Sequence, residues 1–196
     1  YTDNAGNIWS ADNYFSGGMT DSVTDPIANT DDQVLYQSER YDACTYTFSV
    51  PTGQYRVILK FAEIYNLVSG GGRIFNVSIE GNTVLSNLDI FTQAGGLFRA
   101  YDTEHLVTVN DSALNIQFIT GTADLPKISA IQVNRVLGCA SPTNTPTSTS
   151  TFTRTATVTA TGTNTATRTF TATATATNSY TLTGTNTPSF THTVTV

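Results

Sequence analysis

Glu39, beside Arg40, and Glu63 are the residues of this 196-residue chain whose chemistry suits a general acid and base pair. Glycoside cleavage needs two facing carboxylates of this kind. The same side chains suit a structural role better. Charges tucked into a sheet require partners, so Glu39, Arg40 and Glu63 are expected to form an ion-pair and hydrogen-bond network between adjacent strands. The chain is therefore read as no enzyme. Its two histidines, His105 in an expected turn and His192 near the C-terminus, offer no Ser-His-Asp or Cys-His relay. Asp21, Asp25, Asp31 and Asp32 carry oxygen ligands for a structural Ca²⁺, but their spacing matches no EF-hand. A solvated acidic loop is the reading taken, and no other cofactor is expected. No Cys/His cluster points to zinc.

Cys44 and Cys139 are the two cysteines. In a secreted chain they suggest one disulfide closing a loop of about 95 residues. Two buried free thiols are the alternative. Asn76-Val77-Ser78 and Asn110-Asp111-Ser112 fit the N-glycosylation pattern, although Asn76 falls mid-strand.

These residues need elements to hold them, and the expected elements are strands. Thr45–Val50 alternates, with Tyr46, Phe48 and Val50 on one face. Tyr55–Ile64 is a denser apolar run, expected to be buried on both faces. Arg73–Glu80 alternates through Phe75, Val77 and Ile79 and turns at Gly81-Asn82. Leu106–Val109, Leu114–Ile119 and Ile128–Val136 complete the set, between Gly-, Pro- and Asn-rich turns. No segment carries an apolar stripe of helical period and length. The expected class is all-β, an antiparallel sandwich or jelly roll.

Composition divides the chain at Gly138-Cys139-Ala140-Ser141-Pro142. Residues 1–138 hold all fifteen acids and seven of the nine bases, a balance of −8, with Trp9 and most of the Tyr and Phe. That is material for one domain core. In 139–196 every odd position from 141 to 195 is Thr or Ser. A period of two is the strand signature, and a polar tract of this kind is also mucin-like. Thr143, Thr145, Thr153, Thr155, Thr157, Thr163, Thr165, Thr171, Thr173, Thr181 and Thr185 are the expected O-glycosylation sites. The acidic balance excludes nucleic acid as a partner, and no apolar run is long enough to insert into a membrane.

Leu35-Tyr36-Gln37-Ser38-Glu39-Arg40-Tyr41, Phe61-Ala62-Glu63-Ile64-Tyr65, Arg73-Ile74-Phe75-Asn76-Val77, Leu88-Asp89-Ile90 and Asp124-Leu125-Pro126-Lys127-Ile128-Ser129-Ala130-Ile131 occur in this order. Together they resemble the malectin-type carbohydrate-binding domain over most of residues 1–136. The resemblance implies a jelly-roll β-sandwich with a non-catalytic, lectin-like role. In the eukaryotic namesake it implies recognition of glucosylated oligosaccharide in the endoplasmic reticulum; in bacteria, a module of secreted or surface proteins. Carried over residue by residue, it implies a sugar site at Tyr41, Tyr65 and Asp124, with Asn66 where the family has an aromatic. A further family tyrosine lies upstream, where this chain offers Tyr14. Tyrosine faces suit the C–H side of a sugar ring, and a carboxylate accepts from its hydroxyls. The family's opening edge strand has no counterpart before Tyr1. An edge so exposed invites strand addition, and the alternating Thr191–Val196 is a suitable donor.

The Thr-rich segment is too polar to offset its own ordering entropy, so other copies are expected to order it. The expected protein is thus an extracellular, cell-surface structural subunit, a homopolymer assembled through an extended, O-glycosylated tail. The alternative is a carbohydrate-binding module on a glycosylated stalk.

Overall fold

A computed structural model of the chain describes residues 1–136 with their side chains, and the backbone of 146–160, 166–180 and 191–195. Two sheets form the first unit. One is built from β1 (Phe15–Ser22), β2 (Ser38–Ser49), β4 (Ile74–Ile79), β5 (Asn82–Leu88), β7 (Ala113–Ala123) and β8 (Lys127–Ile128). Its order is β1-β2-β7-β4-β5, with the short β8 also paired to β2. The second holds β3 (Gly53–Ala62), β6 (Ala100–Val109), β9 (Ala130–Val136) and β12 (Thr191–Thr195), in the order β12-β9-β3-β6. Every pairing between named strands is antiparallel. The fold is an all-β sandwich, as expected.

The core lies between the sheets because both present alternate residues inward. Tyr46, Phe48, Phe75, Val77, Ile79, Leu114, Ile116 and Phe118 come from the first sheet; Tyr55, Val57, Leu59, Phe61, Ile131 and Val133 come from the second. The expected alternation of β2 and β4 is therefore present. Strand β3 differs from expectation. It is central, between β6 and β9, yet only Tyr55, Val57, Leu59 and Phe61 enter this core. Arg56 on its outer face is exposed and Ile58 and Lys60 are half-buried, because that face has thinner cover.

Turns follow backbone chemistry. The β4–β5 hairpin uses a two-residue loop, Glu80-Gly81, with both φ positive (51° and 74°), the twist that antiparallel strands favour. One short helix, α1 (Ile90–Ala94), has no counterpart in the expected elements. Asp89 caps it, accepting from the Thr92 amide, and Gly95 ends it at φ 80°. His105, expected in a turn, lies within β6, where its ring is partly desolvated and its pKa is lowered by burial.

The second unit contains a long hairpin, β10 (Pro146–Ala160) with β11 (Ala166–Tyr180). Odd positions oppose odd positions throughout: Thr153 faces Thr173, Thr155 faces Thr171, and Thr157 faces Thr169. Odd positions, Thr or Ser throughout, thus pair with odd positions along the hairpin. Of the expected O-glycosylation sites, Thr143, Thr145, Thr163, Thr165, Thr181 and Thr185 lie outside the described residues.

A candidate carbohydrate-binding cleft

The first strand pair sets one wall of a cleft. Arg40 anchors it: its guanidinium donates to Asp12 Oδ2 through Nε (2.9 Å) and Nη2 (2.5 Å), donates to the carbonyls of Gly17 and Gly18, and lies 3.4 Å over the Phe15 ring. Tyr46 donates to the other oxygen of Asp12 at 2.9 Å. Gly17 (φ 83°) sits at a bulge in β1, and a Cβ there would meet the Ala43 carbonyl at 2.8 Å. Past this bulge the register sets Met19 opposite Tyr41 and Asp21 opposite Glu39.

Tyr41, on β2, thus gains Met19 as its neighbour, with the sulfur 3.9 Å from its hydroxyl. Tyr65 follows β3 in a tight turn closed by the Val68 amide on the Tyr65 carbonyl. Asp124 follows β7 in a left-handed conformation (φ 50°) and accepts from the Leu125 amide. These chain ends converge. Asp21, Glu39, Tyr41, Tyr65, Arg73, Asp124 and Leu125 line one cleft of about 300 Å³, at the lower end of small-ligand sites.

Behind the cleft is a buried ion network. Lys127 Nζ lies against Glu39 Oε2 and 2.7 Å from Glu63 Oε1. Arg73 Nε donates to the second Glu63 oxygen at 2.7 Å, Nη1 donates to the Leu125 carbonyl, and Nη2 lies 3.0 Å from Asp124 Oδ2. The Glu63 carboxylate also accepts from the Tyr65 amide at 3.1 Å. Burial pushes the Glu39 pKa up, and Lys127 opposes that shift. One glutamate thus holds the Tyr65 backbone while sharing Lys127 with Glu39, and Arg73 ties it to Asp124. Tyr65 is half-exposed (46 %), so a ring face remains free for a ligand.

The cleft brings Tyr41, Tyr65 and Asp124 together. Asn66 lies in the turn beside Tyr65, off the cleft lining. Tyr14 is also elsewhere, its ring 5.5 Å from Phe48, and Met19 occupies the position beside Tyr41. The expected Glu39–Arg40–Glu63 network needs correction. Arg40 points to Asp12, whereas Lys127 and Arg73 neutralise the two glutamates. β-strand alternation explains the separation: Glu39 and Arg40 are adjacent, so they face opposite sides of β2. Arg73 and Leu125 were missed as cleft residues, and Asp21 was read only as a Ca²⁺ ligand candidate; the Gly17-Gly18 pair marked the bulge that sets Met19 and Asp21 in register.

The four acidic residues read as an alternative Ca²⁺ set do not converge. Asp21 lines the cleft, while Asp32 accepts from the Tyr1 hydroxyl (2.8 Å) and the Asn4 amide (2.9 Å). Among the described residues no group of three His, Cys, Asp or Glu is placed to hold a metal. Cys44 is buried, and that burial raises the pKa of its thiol form to about 12. Cys139 lies outside the described residues.

The malectin domain model matches residues 1–131. The chain belongs to the malectin-domain family. Malectin-B of Xenopus laevis is 31% identical over 122 residues, covering 54% of this chain and 44% of that protein. Human malectin is 32% identical over 122 residues, covering 54% and 41%. Receptor-like protein 4 of Arabidopsis thaliana is 31% identical over 127 residues, covering 64% and 18%. The chain thus spans less than half the length of these malectin-family relatives. Among solved structures, a Bacteroides uniformis β-glucuronidase shares the fold with a TM-score of 0.61 at 23% identity, covering 69% of this chain and 16% of that one. The ANX2 ectodomain of Arabidopsis thaliana does so with a TM-score of 0.58 at 16% identity, covering 64% and 42%. Among the described residues no helix is long and apolar enough to cross a membrane.

Proposed function

We propose that the malectin domain of this chain is a non-catalytic carbohydrate-binding module of an extracellular protein, and that the cleft at Tyr41, Tyr65 and Asp124 takes an uncharged sugar. One observation carries this reading: two tyrosines and a cation-fixed carboxylate converge on a single open cleft. Tyr65 and Tyr41 offer ring faces to the C–H side of a pyranose. Asp124 and Asp21 accept from hydroxyls. Three carboxylates against one arginine disfavour anionic sugars.

A glycosidase reading has little support. Glu63 is sealed from solvent and tied to Lys127, Arg73 and the Tyr65 amide, so it cannot exchange protons with a bound substrate. The Thr-rich segment serves in this reading as an O-glycosylated stalk, and the register that pairs threonine with threonine along the hairpin supports a dense glycan coat. Cys44 and Cys139 form the proposed disulfide at the domain exit. Glycan-array binding by the full chain tests the module. Binding retained by wild type and lost in Tyr41→Ala and Tyr65→Ala supports it.

A second reading, a subunit of an extracellular homopolymer, is favoured by a separate observation: Thr191–Thr195 forms the outermost strand of the β12-β9-β3-β6 sheet.

A further inference from the structure

Resting on the sugar-cleft reading, we propose that Asp89 is a positioning residue for the cleft: by holding Gly71 it fixes the connection 63–73, which carries Tyr65 near one end and Arg73 at the other. Those residues join β3 to β4. The Leu88-Asp89-Ile90 motif lies outside the cleft lining. Leu88 and Ile90 belong to the core, so Asp89 is the polar member of a motif otherwise spent on packing.

Both ends of the connection have their own anchors. Glu63 accepts from the Tyr65 amide, and Arg73 spans Glu63 and Asp124. The middle is Gly70-Gly71-Gly72, a run whose backbone loses much freedom on ordering. Packing does not hold its tip, since a Cβ on Gly71 (φ 76°) would meet no atom within 4 Å. The Asp89 carboxylate holds it instead. Oδ2 accepts from the Gly71 amide at 2.6 Å and from the Thr92 hydroxyl at 2.6 Å. Oδ1 accepts from the Thr92 amide at 3.1 Å and so caps α1. Gly70 also approaches this helix closely, because a Cβ there would lie 3.2 Å from Thr92 Oγ1.

One carboxylate therefore ties the connection to a helix whose Ile90 is fully buried. Burial opposes the charge on Asp89, but the hydrogen bonds from Thr92 and Gly71 lower its pKa and keep it a carboxylate. Gly71 stands two residues before Arg73, the residue that fixes Asp124. A loosened Gly71 thus reaches both Tyr65 and Asp124 through the backbone. A site whose contacts must be ordered on binding loses affinity without losing any contact.

Asp89→Ser in the full-length chain tests this role. Serine is also a good N-cap, but its one oxygen cannot serve the Thr92 and Gly71 amides together. Wild type and variant are titrated calorimetrically with an uncharged oligosaccharide selected on a glycan array, and backbone hydrogen exchange is followed by mass spectrometry. At least fivefold weaker binding is expected, with faster exchange confined to 63–73. Asp89→Asn keeps the shape and the cap while turning one acceptor into a donor, so it carries the same expectation should the serine variant fail to fold. A double-mutant cycle with Tyr65→Ala gives the readout that a merely structural role leaves unmoved: the Asp89 loss shrinks when Tyr65 is already gone. A loss of the same size in both backgrounds overturns the positioning role. So does equal affinity in wild type and both Asp89 variants, which leaves the sugar-cleft reading intact. A wild type that binds no sugar overturns that reading and this role with it.

Discussion

Lys127 Nζ lies 2.7 Å from Glu63 Oε1, and both side chains are sealed from solvent (1 % and 0 % exposed). Lys127 also meets Glu39, so one cation neutralises two buried carboxylates. Removing it leaves uncompensated charge, which costs more than the pair contributes. Lys127→Met is expected to lower the unfolding free energy by about 3–5 kcal/mol. Urea denaturation followed by tryptophan fluorescence at Trp9 reads the loss. A change below about 1 kcal/mol, the range of an exposed pair, would contradict the buried network.

Arg73 links this network to the cleft. It reaches Glu63 and Asp124 with different nitrogens, which Lys cannot reproduce with its single ammonium. Arg73→Lys is expected to retain most of the stability while weakening sugar affinity at least tenfold, because Asp124 loses its anchor. Isothermal titration with the best array ligand, alongside thermal unfolding, separates the two effects. Equal affinity in the variant would remove Arg73 from the positioning of Asp124.

In a Cys139→Ser chain burial holds Cys44 as the thiol, and burial also raises the pKa values of Tyr36 and Tyr46. Each group has a higher pKa folded than unfolded. Above the ordinary thiol value of 9.0 the unfolded chain releases a proton that the folded chain keeps until about pH 12. Stability therefore falls as pH rises through that window, by up to about 1.4 kcal/mol per pH unit for one thiol. With Cys139→Ser as background, the urea midpoint is expected to drop between pH 9 and 10.5, and less steeply in Cys44→Ala. Identical slopes would show that Cys44 is not the titrating group.

The disulfide proposal has its own readout. Non-reducing peptide mapping of secreted material is expected to give a Cys44–Cys139 crosslinked fragment, and separate alkylated peptides would contradict it.

Much of the sandwich was legible because its strands obey a period of two. Tyr46, Phe48, Phe75, Val77 and Ile79 all enter the core from the faces the alternation assigns. Strand β3 misled because Ile58 is apolar yet lies outside the main core, where periodicity alone cannot measure cover. Helix α1 was hidden by its length, since five residues cannot display a helical stripe. In the cleft, Tyr41, Tyr65 and Asp124 were legible through ordered motifs. Their supports were not. Arg40 and Asp12 are 28 residues apart and Lys127 and Glu63 are 64 apart, and only the folded register joins them. Met19 stands beside Tyr41 because a glycine bulge shifts β1, a backbone event that side-chain patterns do not announce.

Sugar binding in the malectin cleft is proposed to run through Tyr41, Tyr65 and Asp124. The most direct measurement is calorimetric titration of the full-length protein with an uncharged oligosaccharide selected on a glycan array, repeated with Tyr65→Ala. Tyr65 is half-exposed, so this variant is expected to fold and unfold as wild type does. The account expects saturable one-site binding that weakens at least tenfold in Tyr65→Ala, about 1.4 kcal/mol or more. Binding of equal strength in the two proteins, or no uncharged glycan bound at all, would contradict it.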